Sequence, residues 1–138
     1  FLFFSKEIAT IIRKKQKINQ NCVLGLATGS SPIFVYKELI RIHKKNKLSF
    51  HNVITFNLDE YVPMNPTSIN SYHYFMYENL FKHIDIKNEN INLPKGNLEI
   101  NQIQNHCLNF EKKIIKNSLV LFGIDMLPIT MNGTKDCN

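Results

Sequence analysis

Two short apolar runs, CVLGLA at residues 22–27 and NVITF at residues 52–56, bracket a stretch of helical periodicity, and this spacing constrains the fold more than any other feature. Runs of that length bounded by polar residues read as buried strands. Between them Ile33, Tyr36, Ile40 and His43 recur at helical spacing, Leu39 widens the apolar face, and residues 44–47 close the helix on lysine charge that suits its dipole. Strand, helix and strand in about thirty residues make a βαβ unit, so the strands are expected to be parallel with a right-handed crossover.

The same reading extends in both directions. Residues 5–18 predict a surface helix with Ile8, Ile11, Ile12 and Ile18 on one stripe. A third helix is expected over 71–83, carrying Tyr72, Phe75, Met76, Leu80 and Phe81, and a brief strand over 90–93. A fourth helix spans 99–117 with Ile103, Cys107, Phe110 and Ile114 inward, and a further strand is expected over 119–127. Alternation of this kind predicts an α/β fold: an open, mostly parallel sheet with helices on both faces, in one domain over 1–138. With 43% apolar residues, a chain of 138 residues can bury a substantial core. The opening FLFF is too short for a membrane span or a signal sequence and reads as part of an interrupted N-terminal helix, the chain itself being incomplete.

Charge and cysteine usage narrow the function classes. The net charge of +6 arises from lysine clusters at 13–17, 44–47 and 112–116, which read as solvated helix faces because no stacking aromatics or groove-reading motif accompanies them. Neither nucleic acid nor membrane is therefore expected as a partner, although a basic surface helps steer anionic small molecules. Cys22, Cys107 and Cys137 lack metal-site spacing and read as free thiols of a reducing cytoplasm. The five histidines lack metal spacing too and read as packing or surface residues, and no P-loop or dinucleotide fingerprint is present, so neither a metal nor an organic cofactor is expected.

Two loops carry the chemistry. Ligands of open α/β sheets collect at the carboxyl ends of the strands, and TGSSP (28–32) and FNLDEY (56–61) both leave strands there. Thr28, Gly29, Ser30 and Ser31 offer hydroxyls and backbone N–H groups at a helix start, where a phosphate is favoured and Gly29 permits close approach. The competing reading is an ordinary helix start, with Ser31 as cap and Pro32 in the first turn. Asp59 beside such a cradle can act as a proton-abstracting base, which requires partial desolvation. It can equally be a loop aspartate bonded to its own backbone. Asp59 and Glu60, as chain neighbours, point to opposite sides, so one is expected to be catalytic and the other structural. Tyr61 walls a pocket or packs in the core.

The collinear series LGLATGSSP, YKELIRIH, VITFNLDEYVPM, SYHYFM, LFKHIDI and ENINLPKG resembles the glucosamine-6-phosphate deaminase family, in its longer bacterial form, from about residue 22 to residue 117. The resemblance implies a doubly wound, Rossmann-like sheet, incomplete at the C-terminus. It implies an aldose to ketose isomerisation with release of ammonia, giving fructose 6-phosphate, and a sugar phosphate as the partner. Asp59 matches the family's general base, Glu60 the second carboxylate, and Thr28, Gly29, Ser30 and Ser31 the phosphate loop. Ser71 and Tyr72 match a segment near the substrate. Residues 119–138 depart from the family pattern: the histidine-bearing segment that opens the sugar ring has no counterpart, so little or no turnover is expected of this chain alone. The alternatives are a non-catalytic sugar-phosphate-binding module and a 6-phosphogluconolactonase-type hydrolase. Self-association of a full-length form is left open.

Overall fold

The computed structural model describes residues 1–117, so the strand expected over 119–127 lies outside the described residues. Four helices and three strands follow in the order α1 (Leu2–Lys17), β1 (Cys22–Gly25), α2 (Ile33–Asn46), β2 (Val53–Phe56), α3 (Tyr72–Asn79), β3 (Ile91–Asn92) and α4 (Ile100–Lys116), with 3₁₀ turns at Phe81–His83 and Asn88–Asn90. The sheet order is β1-β2-β3 and both pairings are parallel. The expected βαβ unit is β1-α2-β2, with Cys22 opposite Val53 and Gly25 opposite Phe56.

Alternation along the strands decides which helix covers which face. Cys22, Leu24 and Val53 share one face and bury with Ala9 and Ile12 of α1 and Val35, Leu39 and Ile42 of α2. Phe56 lies an odd number of residues from Val53, hence on the other face, where its ring meets Phe110 of α4 edge-on at 5.8 Å. Helices therefore cover both faces. Each fully buried aliphatic or aromatic side chain in these layers contributes about 1.5 to 3 kcal/mol over leaving it in water.

Three local expectations are corrected. Ser31 does not cap α2: Pro32, with φ −74° and ψ −14°, holds the cap position, and no side chain accepts from the helix start. The helix expected over 71–83 is broken at Leu80, whose φ of −143° and ψ of −62° leave the helical region. There the chain turns so that Leu80 and Phe81 bury with Tyr36 and Met76, and tertiary packing overrides the helical period. Cys22 is a free, buried thiol, whereas Cys107 is disulfide-bonded. Spacing along a chain carries no record of which thiols meet in space.

The lysine-rich ends of α1 and α2 lie together, Arg13 Nη2 donating to the Asn46 carbonyl at 3.3 Å. In a βαβ unit that is the end of the sheet away from the loops that follow the strands.

Candidate active site

The loops after β1 and β2 leave the same end of the sheet and are tied beneath their tips. Leu26 N–H donates to the Phe56 carbonyl at 2.8 Å, and Asn57 Nδ2 donates to the Leu26 carbonyl at 2.9 Å. Asn57 N–H in turn reaches the Asn92 carbonyl at 2.9 Å, so all three strand ends are joined. Tyr36 Oη donates to the Ala27 carbonyl, anchoring the first loop to α2, and burial pushes this phenol's pKa up.

Above that base, Gly29, Ser30 and Ser31 are exposed and Thr28 is half-buried. Gly29 has φ +107°, and a Cβ placed there would meet nothing within 4 Å. Backbone conformation, not crowding, calls for glycine here, and the space in front of the loop is open. With Pro32 at the cap and no acidic residue in its first turn, α2 presents its first N–H groups without a side-chain acceptor.

The two carboxylates differ sharply in surroundings. Glu60 is buried, 3% exposed. Its Oε1 accepts from the N–H groups of Tyr61 and Tyr72, both at 3.0 Å. Its Oε2 accepts from His73 N–H at 3.1 Å and His73 Nδ1 at 3.0 Å. Tyr72 and His73 open α3, and Ser71 completes the closure by accepting from Tyr74 N–H at 3.0 Å. Asp59 is half-buried and bonds only its own backbone. Burial first, and the neighbouring Glu60 charge second, raise its pKa above the usual aspartate value.

Tyrosines connect the loops. The rings of Tyr61 and Tyr72 lie 4.9 Å apart and their hydroxyls 3.1 Å apart. The Tyr72 phenol also lies beside the Thr28 side chain and feels the charge of Asp59. Its pKa is pushed up to about 12, chiefly by the bond to Tyr61 and by burial, so it stays protonated at neutral pH. A partly desolvated carboxylate, a neutral phenol and an amide-rich helix start thus share one rim.

Over 131 residues, 94% of this chain, the sequence is 47% identical to the glucosamine-6-phosphate deaminase of Thermoanaerobacter sp. strain X514. The chain belongs to the glucosamine-6-phosphate deaminase family. It spans about half the length of the curated relatives it matches, 49% in that case. A solved monomeric glucosamine-6-phosphate deaminase superposes with a TM-score of 0.77 at 35% identity, over 85% of this chain and 46% of that one. A 6-phosphogluconolactonase from Thermotoga maritima superposes with a TM-score of 0.64 at 22% identity, over 83% of this chain and 49% of that one, a likeness of fold alone. No family model matches the chain.

On this deaminase-family scaffold the structure brings Thr28, Asp59, Tyr61 and Tyr72 together, with Gly29, Ser30 and Ser31 continuing the rim. Ser71 and Glu60 sit beneath it, engaged in starting α3. Three supporting residues escape sequence reasoning. Asn57 ties the strand ends. His73 holds Glu60. Gly96 packs so closely that a Cβ would overlap the Tyr61 carbonyl and lie 2.8 Å from Met64 Cβ and 3.0 Å from Glu60 Cγ, while its own carbonyl accepts from Met64 N–H at 2.7 Å. Its segment is held to α4 by Lys95 N–H donating to His106 Nε2 at 3.1 Å, and burial, with Lys95 and Lys113 nearby, lowers the His106 pKa and keeps that nitrogen an acceptor. The PKG motif was the available signal for Gly96; His73 and Asn57 had none.

Among the described residues there is no cluster of side chains suited to a metal ion, and no helix is long and apolar enough to cross a membrane.

Proposed function

We propose that this chain supplies the phosphate grip and the proton-moving carboxylate of a glucosamine-6-phosphate deaminase. The observation that carries the reading is the pairing of an uncapped, glycine-led helix start with a half-buried carboxylate of raised pKa on one rim. The substrate phosphate sits against Thr28, Gly29, Ser30 and Ser31, where oriented N–H groups and the helix dipole favour an anion. Anchored there, the open-chain sugar presents C2 to Asp59, which takes the C2 proton as carboxylate and returns it to C1. The raised pKa suits both halves of that transfer, since the protonated form must give the proton back. Water then replaces nitrogen at C2, so glucosamine 6-phosphate and water become fructose 6-phosphate and ammonia. Glu60 holds the loop and the start of α3, and Tyr61, Ser71 and Tyr72 shape the pocket beside it. This is amino-sugar catabolism in the cytoplasm.

Binding of glucosamine 6-phosphate and of inorganic phosphate, by calorimetry on the chain, tests the grip. Both ligands are expected to bind, and Gly29→Val, which forces a branched residue into a left-handed conformation, is expected to weaken both by about tenfold or more. The carboxyl carbon of Asp59, followed by NMR, is expected to move with the sugar phosphate and hardly at all with phosphate alone. Ammonia release seen with the wild-type chain is expected to vanish in Asp59→Asn. No binding of glucosamine 6-phosphate at millimolar concentration, or ammonia release that survives Asp59→Asn, overturns the assignment.

A further inference from the structure

A brace runs from α4 to the carboxylate loop. His106 Nε2 accepts from Lys95 N–H at 3.1 Å, and its ring lies 6.1 Å from that of Phe110, which stands edge-on at 5.8 Å to Phe56 of β2. The imidazole therefore departs from a helix docked on the sheet. Next to Lys95, buried Gly96 presses against the Tyr61 carbonyl and the Glu60 side chain, and its own carbonyl accepts from Met64 N–H at 2.7 Å. Residues 60, 61 and 64 thus rest on a segment that His106 ties to α4. We propose that His106 is a positioning residue of the proton transfer: as an unprotonated acceptor it holds the Lys95–Gly96 segment against residues 60–64, and so keeps Asp59 aimed at a sugar phosphate gripped by residues 28–31.

The acceptor role fixes the protonation state. A ring nitrogen that receives an N–H must offer a lone pair, so neutral His106 bears its hydrogen on Nδ1. A proton added at Nε2 sets two donors face to face, and the contact opens. Burial chiefly, and then the charges of Lys95 on the segment and Lys113 on α4, hold the pKa of this ring below the ordinary 6.5. The folded state favours the neutral ring, so the brace is complete above pH 6.5 and is lost as pH falls through the folded value.

This inference rests on the deaminase reading, which assigns the phosphate to one loop and C2 to the other. His106→Gln places an amide oxygen where Nε2 stands and removes the titration. Calorimetry compares the two chains with glucosamine 6-phosphate from neutral to acid pH, and the ratio of their affinities cancels the titrations of the ligand and of Asp59. At the acid end wild type is expected to bind about fivefold more weakly than His106→Gln, the order of one hydrogen bond's net worth, with inorganic phosphate within about twofold. The change should follow the His106 midpoint seen by NMR. A ratio that stays flat across the range overturns the proposal. So does an equal acid loss of both ligands, which would mark a general loosening of the site.

A ligand-free reading separates this inference from the substrate assignment. The Tyr61 and Met64 amide resonances of the wild-type chain are expected to inflect at the His106 midpoint and to lose that inflection in His106→Gln. Resonances that ignore His106, or an inflection that survives in the variant, overturn the brace. If they follow His106 while wild-type protein binds phosphate and not glucosamine 6-phosphate, the brace stands and the substrate assignment falls.

Discussion

Two helices begin at the same rim and are finished in opposite ways. The start of α3 is closed by the protein itself: Glu60 takes the first two N–H groups and Ser71 the third. The start of α2 is left without a side-chain acceptor, behind a loop of glycine and serines that faces open space. A helix start attracts an anion in either case. At α3 the anion is built in, and at α2 the position suits one that arrives from solution. The neighbouring carboxylates divide in the same sense, Glu60 saturated by four donors and Asp59 bonded only to its own backbone. Adjacent residues can hold such different roles because the chain turns one inward against α3 and leaves the other at the mouth.

The sharpest way to break the contrast is to empty the closed end. Glu60→Ala leaves four donors without an acceptor in a buried place and is expected to cost about 3 to 5 kcal/mol in chemical denaturation. A loss near that of a surface residue would mean that α3 does not depend on its internal anion. Gly96→Ala attacks the same clamp from the other side. The added methyl meets backbone, which cannot swing away, and the expected loss is about 1 to 3 kcal/mol.

Filling the open end should work the other way. Phosphate at ten times its dissociation constant is expected to raise stability by about 1.4 kcal/mol. The gain should disappear in Gly29→Val, and a gain that survives there would place the anion elsewhere.

Asp59 should have the smallest effect on stability and a definite sign. Its folded pKa lies above the ordinary aspartate value of 3.8, so the folded state holds the proton more tightly than the unfolded state. Its contribution to stability is therefore present at acid pH and lost as pH rises from about 3.8 through the folded pKa. Asp59→Asn removes that dependence and is expected to change neutral-pH stability by no more than about 0.5 kcal/mol. Glu60→Gln, by deleting the adjacent charge, should shift the Asp59 midpoint downward in an NMR titration. A midpoint that stays in place would leave burial as the whole cause.

Sequence reading recovered what is local. The apolar runs of β1 and β2, the period of α2 and the turn residues of TGSSP each carry their signal within a few residues, and together they place both loops at one sheet edge. It recovered α4 nearly to the residue because Ile103, Cys107, Phe110 and Ile114 repeat at helical spacing, and the structure adds a capping box between Glu99 and Gln102. What it lost depends on partners far along the chain. The break in α3 at Leu80 answers to packing against Tyr36, and the crowding at Gly96 answers to residues more than thirty positions upstream. His73 read, with the other histidines, as a packing or surface residue because the carboxylate it holds lies thirteen residues away. The phosphate loop was found and its cap misassigned: Ser31 is the right residue type one position too early, and that one-residue offset is what leaves the helix start open.

The amide of Asn57 gives the mouth a consequence for redesign. It stitches neighbouring strand ends together below both loop tips, so the register of the sheet does not rely on how long or how sticky those tips are. Residues 28–31 could accordingly be exchanged for a larger anion-gripping segment without sliding one strand past the other, provided the stitch at position 57 is kept.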